Sequence, residues 1–385
     1  MCAIGGEIDY SKMMTREPYH NDMLSTMRRR GPDADGVYAE ENAILLHARL
    51  AVIDVENGIQ PMTLALGEET YTIVYNGEIY NTTELREYLT GKGIKLRTKS
   101  DTEIVLTLYA LCGEKCLDIL NGIFAFAVWH KKERKLFLAR DKMGVKPLFY
   151  CKRGENLVFA SEIKTILKHP EINAVIDKKS VSEIMLIGPG RTPGYGVFKG
   201  IEEIKRGHFA VFTKDGMDIK CYSDVRGKKH TDSKDQTIEK VRYLVKDAIE
   251  RQLVSDVPIG TFLSGGLDSS IISSVAASYM KRRGERLTTF SVTYKDNSKY
   301  FQKSKFQPNS DEAYIEIMQK YLGSDHHLIT IDTPELARAL YDAVDARDLP
   351  VMADVDSSLL LFCKEIKKHV TVALSGECAD ELEHT

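Results

Sequence analysis

The sequence predicts two domains in tandem: an α+β layered domain, then an α/β domain built on a doubly wound parallel sheet. Three observations predict this. The chain has 385 residues, enough for two separate cores. Short strand-like segments crowd the first 225 residues, whereas strands and helices alternate in the remainder. Between them, "YSDVRGKKHTDSKDQT" is mostly polar, charged or turn-forming and cannot bury a core, so it reads as a linker or a long surface loop. The expected boundaries are 2–225 and 226–385.

In the first domain, "AILLHARLAVI", "YTIVYNGEIY", "GIFAFAVWHKKERKLFLARD" and "HFAVFTKDG" have strand composition. "DTEIVLTLYALCGEKCLDIL" has helical spacing, with Ile104, Leu108 and Leu111 on one face and Leu117 and Leu120 further on. After the break, "TIEKVRYLVKDAIERQL" places Ile238, Val241, Val245 and Ile249 in helical register. Alternation follows. "VPIGTFLS" is a strand, about 268–283 a helix, "RLTTFSVTY" a strand and "DEAYIEIMQKYLG" a helix. "DHHLITI" is a strand, "PELARALYDAVDA" and "DSSLLLFCKEIKKH" are helices, and "VTVALSG" is a strand. In such sheets ligands bind at the carboxyl ends of the strands.

Composition narrows the function. The formal net charge of -3 offers no basic footprint for nucleic acid. No apolar run approaches a membrane span, and the amino terminus lacks the apolar core of a secretory signal. Seven scattered cysteines point to a reducing, cytoplasmic compartment. Cys112 and Cys116 lie four apart on the predicted helix, but no second pair follows, so they read as buried small hydrophobes rather than metal ligands.

"FLSGGLDSSIISSVAA" sits where the first strand of the second domain turns into its helix. Ser264, Gly265 and Gly266 suit a tight turn whose backbone N–H groups can approach an oxyanion, helped by the helix N-terminus. It is not a Walker loop, because no Lys-Ser/Thr follows the glycines. Asp268 would repel a bare phosphate but suits a magnesium ion shared with phosphates. Ser269 and Ser270 suit capping or phosphate contact. The bland alternative is a glycine turn with serine caps. "VALSGECADE" ends the last visible strand. Ser375 and Gly376 offer a second small-residue turn, and Glu377, Asp380 and Glu381 offer carboxylates. A parallel sheet puts both loops on one edge, so Asp268 and Asp380 are candidates to share that magnesium. Alternatively, Asp380 and Glu381 form an acidic helix start.

Cys2 directly follows the initiator methionine. Once Met1 is removed, Cys2 carries a thiol and an α-amine whose ordinary pKa, about 7.7–8.0, makes it a usable general base. A thiolate attacks amide carbonyls, and the reaction then needs oxyanion donors. "YNGEIYN" offers the Asn76 side-chain amide and the Gly77 N–H. For an amino-acid substrate, Arg49 suits the carboxylate and Asp101 the ammonium. The dull alternatives are an Asn-Gly hairpin turn and, at "SDTE", an ordinary helix cap.

"MCAI-G", "RRGPD", "HARLAVID", "QPM", "YNGEIYN", "SDTE" and "ARDKMGVKPLFY", in that order, resemble the glutaminase domain of class II glutamine amidotransferases. "DVPIGTFLSGGLDSS" and "LSGECADE" resemble the synthetase domain of glutamine-hydrolysing asparagine synthetases. The resemblance covers nearly the whole chain. It implies an αββα N-terminal-nucleophile hydrolase sandwich followed by a parallel-sheet, PP-loop ATP-pyrophosphatase-like domain. It makes Cys2 the nucleophile, with Asn76 and Gly77 as its oxyanion donors. Glutamine would lie against Arg49, Leu50, Ala51, Val52, Ile53, Asn76, Gly77, Glu78 and Asp101. ATP would lie against Leu263, Ser264, Gly265, Gly266, Asp268, Ser269, Val292, Ser375 and Gly376. Mg2+ would be held by Asp268 and Asp380, and Glu377 would sit near the activated aspartate. The implied activity is ATP-dependent conversion of aspartate to asparagine with ammonia from glutamine. Partners would be glutamine, aspartate and ATP, with a homodimer left open.

Two departures stand out. Cys378 occupies a position where the family has glycine, and a side chain there would crowd the phosphate loop. The family also continues well beyond "ELEHT", which implies a domain incomplete at its C-terminus and a chain that hydrolyses glutamine while making little asparagine. Another carboxylate acceptor, or a binding module without catalysis, remain alternatives.

Overall fold

The computed structural model describes residues 1–300, 302, 311–350 and 352–377. The chain divides into two compact units, 1–227 and 228–385. The strands of the first are β1 (Ala3–Asp9), β2 (Ala34–Glu40), β3 (Ala43–Arg49), β4 (Met62–Leu66), β5 (Glu69–Ile79), β6 (Gly122–His130), β7 (Lys135–Arg140), β8 (Phe149–Arg153), β9 (Asn156–Ala160), β10 (Ile201–Glu203), β11 (His208–Thr213) and β12 (Gly216–Cys221). Its helices are α1 (Pro18–Met27), α2 (Thr82–Gly91), α3 (Asp101–Cys112), α4 (Cys116–Ile119), α5 (Ile163–Ile166) and α6 (Lys178–Leu186).

Two six-stranded sheets form, ordered β10-β8-β9-β1-β3-β2 and β12-β11-β7-β6-β5-β4. Their pairings are antiparallel. Both faces of the central strands are covered, which is why they read as continuous apolar runs. In β6, Phe124, Phe126 and Val128 enter one core while Ala125, Ala127 and Trp129 enter another. The first core lies under α2 and α3, with Leu85, Leu89, Ile104 and Leu108. The second lies between the sheets and joins Ile4, Ile8 and Phe159 to Leu136 and Leu138. On the outer face of the first sheet, α1 comes so close that a Cβ on Gly5 would lie 3.4 Å from Met27 Sδ. The layers are therefore αββα.

One buried carboxylate ties α1 and the α5 region to β1. Glu7 is fully buried and receives Tyr19 Oη (2.8 Å), Asn156 Nδ2 (2.6 Å), His20 Nε2 (3.0 Å) and His169 Nε2 (3.3 Å). The Nδ1 atoms of both histidines accept backbone N–H groups, from Glu17 and Glu171, so both Nε2 atoms carry the proton and donate. Burial opposes ionisation of Glu7. The four donors outweigh it and hold the carboxyl well below the usual carboxylate range.

The long helix predicted through Cys116 is interrupted. Helix α3 ends at Cys112, Gly113 takes φ +58°, and a 3-10 turn leads into the separate α4. Leu111, expected on the buried face, is 40% exposed because it sits in the last turn before this break. Cys112 is exposed, so of this pair Cys116 alone is a buried small hydrophobe. Among the described residues no cluster of three or more potential metal ligands occurs.

In the second unit the strands are β13 (Ile259–Phe262), β14 (Thr288–Tyr294), β15 (Asp325–Ile331) and β16 (Val372–Leu374). The helices are α7 (Lys234–Arg251), α8 (Leu267–Arg282), α9 (Asn297–Tyr300), α10 (Glu312–Leu322), α11 (Thr333–Arg347) and α12 (Ala353–Ile366). The sheet is parallel, ordered β15-β14-β13-β16. Helices cover both faces: α7 and α8 through Ile249, Ala276 and Met280, and α12 through Phe362 and Ile366 against Phe290. Of the register predicted for α7, Ile249 is buried and Val245 packs on the core, but Ile238 and Val241 are exposed. Only the C-terminal turns of α7 reach the sheet. No described helix is long and apolar enough to cross a membrane.

Candidate active sites

The first site is set by strand register. Pairing of Ala3 with Ala48 brings the residue before β1 beside the end of β3. Cys2 Sγ accordingly lies 3.4 Å from Leu50 N and 3.5 Å from Leu50 O. Arg30 Nε donates to Cys2 O at 3.1 Å, and the Met1 α-amino group donates to Arg30 O at 3.3 Å. Burial pushes the Cys2 thiol pKa up, while the Leu50 backbone and the amino terminus pull it down. Burial also lowers the Met1 amine to about 5; Cys2 opposes this, and the cations Arg30 and Lys146 add to it.

Asn76 and Gly77 lie inside β5, opposite Ala125 and Phe124, so the hairpin-turn alternative is overturned. A Cβ on Gly77 would meet Ile123 O at 2.5 Å, so this strand position admits only glycine. Asn76 is buried, and its Nδ2 has no hydrogen-bond partner among the described residues. A buried, unpaired donor is rare and marks a group awaiting an acceptor. Asp101, buried at the start of α3, accepts Tyr75 Oη (2.8 Å) and Ile79 N (3.1 Å). Burial raises its pKa against those bonds, and burial likewise raises that of Glu78. The cap predicted at "SDTE" is also present, since Ser100 Oγ accepts Thr102 N. The charge of Asp101 acts on the Cys2 thiol and that of Glu78 on the amino terminus, so β5 and α3 contribute to one locus with Cys2.

Arg49 is buried and faces the turn that follows β3. Its Nη1 donates to Val55 O (2.7 Å), and its Nη2 to Asp54 O (2.7 Å) and Ile53 O (3.5 Å). Arg49 therefore shapes the segment containing Leu50, Ala51, Val52 and Ile53. Sequence reasoning missed two residues of this locus, Arg30 and Lys146. Arg30 Nη2 is buried without a hydrogen-bond partner among the described residues. Lys146 is buried with its Nζ 3.1 Å from Met1 Sδ. Their only sequence signal was membership of the "RRGPD" and "ARDKMGVKPLFY" strings.

The second site lies outside the carboxyl ends of β13 and β16, where the strand order reverses and a parallel sheet opens a crevice. A cavity of about 430 Å³ opens there. The loop after β13 supplies Leu263, Ser264 and Gly266, the first turn of α8 supplies Asp268 and Ser269, and the loop after β16 supplies Ser375, Gly376 and Glu377. Gly265 takes φ +84°, and a Cβ there would lie 2.9 Å from Tyr314 Cβ. Ser264 Oγ meets Ser269 Oγ at 3.0 Å and accepts Gly266 N at 3.3 Å, which fixes the loop on α8. Gly376 approaches so closely that a Cβ would lie 3.0 Å from Asp268 Cβ. Asp268 thus stands between the two loops.

Val292 lines the same cavity, and Ile315, Val355, Leu359 and Phe362 add apolar wall. Sequence reasoning also missed Tyr294, whose Oη lies 2.7 Å from Ser358 Oγ across 64 residues of chain. Asp380 and Cys378 lie outside the described residues. Asp268 is the one described carboxylate of the expected magnesium pair.

Residues 1–223 match the family model described as a glutamine amidotransferase domain, and residues 240–384 that described as asparagine synthase. The chain is 52% identical to asparagine synthetase [glutamine-hydrolyzing] 3 of Bacillus subtilis, over 99% of this chain and 62% of that protein. It is 36% identical to asparagine synthetase [glutamine-hydrolyzing] 1 of the same organism, over 95% of this chain and 55% of that protein. A putative asparagine synthetase [glutamine-hydrolyzing] 2 of Methanocaldococcus jannaschii is 32% identical, over 99% of this chain and 75% of that protein. The chain therefore spans between about half and three quarters of the length of these relatives.

Proposed function

The chain belongs to the glutamine-hydrolysing asparagine synthetase family, and on that premise we propose that it takes ammonia from glutamine at the first site and uses ATP at the second to amidate aspartate. The observation that carries the first half is the buried, partnerless Nδ2 of Asn76 at the Cys2 locus. With Met1 removed, the Cys2 thiol gives its proton to its own α-amine, directly or through a water, and attacks the glutamine side-chain carbonyl. The oxyanion takes the donors of Asn76 and of the Gly77 backbone. Collapse expels ammonia and leaves a thioester, which water hydrolyses to glutamate. Arg49 and the turn it shapes, with Glu78 and the buried Asp101, hold the amino-acid end of glutamine.

In the second unit, the crevice between the β13 and β16 loops takes ATP, with the glycine-serine turn and the start of α8 against the phosphates. The aspartate β-carboxylate attacks the α-phosphorus and pyrophosphate leaves; ammonia then displaces AMP to give asparagine. Asp268, placed between both loops, suits a divalent cation shared with the phosphates, and Asp380 would complete the pair. Such a cation, when bound, neutralises charge on the phosphates. Glu377, whose backbone N–H donates to Ser375 Oγ at 3.2 Å, lines the same cavity and would sit near the activated aspartate. All described cysteines are free, which agrees with a cytoplasmic setting.

Two assays test the two halves separately. Glutamate release from glutamine should fall to background in Cys2→Ala and in protein that retains Met1; turnover by either would refute the first half. Aspartate-dependent exchange of pyrophosphate into ATP should be lost in Asp268→Ala. Exchange that proceeds equally with other carboxylic acids would refute aspartate as the acceptor.

A further inference from the structure

Lys146 is 4% exposed, yet the single hydrogen bond of its ammonium among the described residues goes to the Met1 thioether. A thioether is a weak acceptor, and a buried cation ordinarily finds a carboxylate. The backbone that carries the side chain is fixed in place. Asp141 Oδ2 accepts Lys146 N at 3.0 Å, and Lys146 O accepts Arg140 Nε at 2.8 Å, so the backbone is clamped on both sides. Removal of Met1 takes away the thioether, while the charge of Lys146 already acts on the Cys2 thiol.

We infer that Lys146 is a positioning residue of the thiol centre: its buried ammonium keeps the α-amine of processed Cys2 as the free base and stabilises the thiolate once the S–H proton has moved to that amine. The step balances internally, since the S–H bond breaks and an N–H bond forms on the same residue. This rests on the reading of Cys2 as the glutaminase nucleophile.

The charged groups facing the centre come from five places. Arg30, before β2, is a second cation, partly balanced by Glu162 at 3.8 Å. Glu78 in β5 and Asp101 at the head of α3 are the anions, with Tyr75 a neutral donor to Asp101. Lys146 and Asp141 share one loop. The two anions favour the protonated amine and oppose the thiolate, so both cations are needed to tip the balance. Of the cations, Arg30 lies 3.8 Å from Glu162, whereas Lys146 makes no salt bridge among the described residues; the carboxylate that acts on it most is Glu78 of the same centre, and the Cys2 thiol acts on it too.

The test uses the full chain with Met1 loss verified by intact mass. The readout is the rate of iodoacetamide alkylation at Cys2, mapped by peptide mass spectrometry across pH without glutamine. Lys146→Met, close in shape and uncharged, should raise the midpoint of the rate profile by about one pH unit and slow alkylation at neutral pH roughly tenfold. Lys146→Arg should restore the wild-type profile. The acid limb of glutaminase activity should move up in parallel, because the amine then loses its proton at higher pH. Should Lys146→Met not fold, Lys146→Gln is read by the same criterion. Superimposable alkylation profiles for the charged and uncharged forms would overturn the inference. Glutaminase activity surviving in Cys2→Ala would instead overturn the nucleophile reading beneath it.

Discussion

The two candidate sites are built in opposite ways. The first is assembled inside the fold: Cys2, Asn76 and Asp101 are placed by strand register and a helix start, and Asn76 and Asp101 are buried. The second is assembled outside it: Ser264, Gly266, Ser375 and Glu377 lie on exposed loops beyond strand ends. Buried polar groups act strongly because water does not screen them, but each must be satisfied or leave a donor unpaired. Loop sites hold large anions through backbone geometry, so their demands fall on glycines and turns. On the proposed function, the buried donors of the first site would serve chemistry on a small amide, and the open crevice of the second would take a triphosphate.

The largest expected effect tests the first half of that contrast. Asn76→Ala should lower kcat for glutamine hydrolysis about 10²–10³-fold, equivalent to about 2.7–4 kcal/mol of transition-state stabilisation. The Nδ2 atom has no partner to lose among the described residues, so the melting temperature should change little. A variant that melts much earlier yet hydrolyses glutamine at full rate would mean that Asn76 is structural, and the contrast would break.

A second prediction concerns pH. His47 lies fully buried in β3, with Nε2 3.2 Å from Tyr75 O on β5 and Nδ1 without a partner among the described residues. Burial lowers its pKa to about 4, the Tyr75 carbonyl opposes this, and Arg49 adds to it. The folded pKa lies below the unfolded one, so the unfolded chain takes up the proton first as pH falls. The contribution of His47 is present above pH 6.5 and is lost between there and about 4, on the order of 3 kcal/mol in full. His47→Gln, which keeps a donor for Tyr75, should flatten the loss of stability across this window in denaturant titrations. Glu7 loses its own contribution at lower pH, as acid reaches its depressed carboxyl pKa. An unchanged slope would show that neutral His47 is not what makes the first unit acid-sensitive.

These buried dependencies explain what was legible in the sequence. Strand–helix alternation fixed the parallel sheet, and its switch point put the loops after β13 and β16 together. Those motifs are local strings, so residues such as Asp268 and Gly376 were readable before any contact was known. Cys2 and Asn76 were readable as chemistry but not as geometry: Asn-Gly suggests a turn as readily as a strand until the pairing of β5 with β6 is seen. Arg30 and Lys146 were not readable, because their placement near Cys2 depends on where β1 ends and on a loop folded around Asp141. Leu111 and Ile238 were misplaced because periodicity states which residues share a face, not how far along a helix the core extends.

The smallest expected effect sharpens the comparison from the other side. Gly265 adopts φ +84°, and its missing Cβ leaves room for Tyr314 Cβ (2.9 Å) and Asp311 O (3.1 Å) at the start of α10. A left-handed conformation costs an alanine about 1–2 kcal/mol, and the close backbone neighbour cannot rotate away. Gly265→Ala should therefore shift the loop, destabilise the second unit by about that amount, and weaken ATP-dependent pyrophosphate exchange up to about tenfold, mainly through KM for ATP. Glutamine hydrolysis should keep its wild-type kcat and KM, because no group of the Cys2 locus described above comes from the second unit. A matching fall in glutaminase activity would mean that the first site is not self-contained, and that the division between a register-built site and a loop-built site is too sharp.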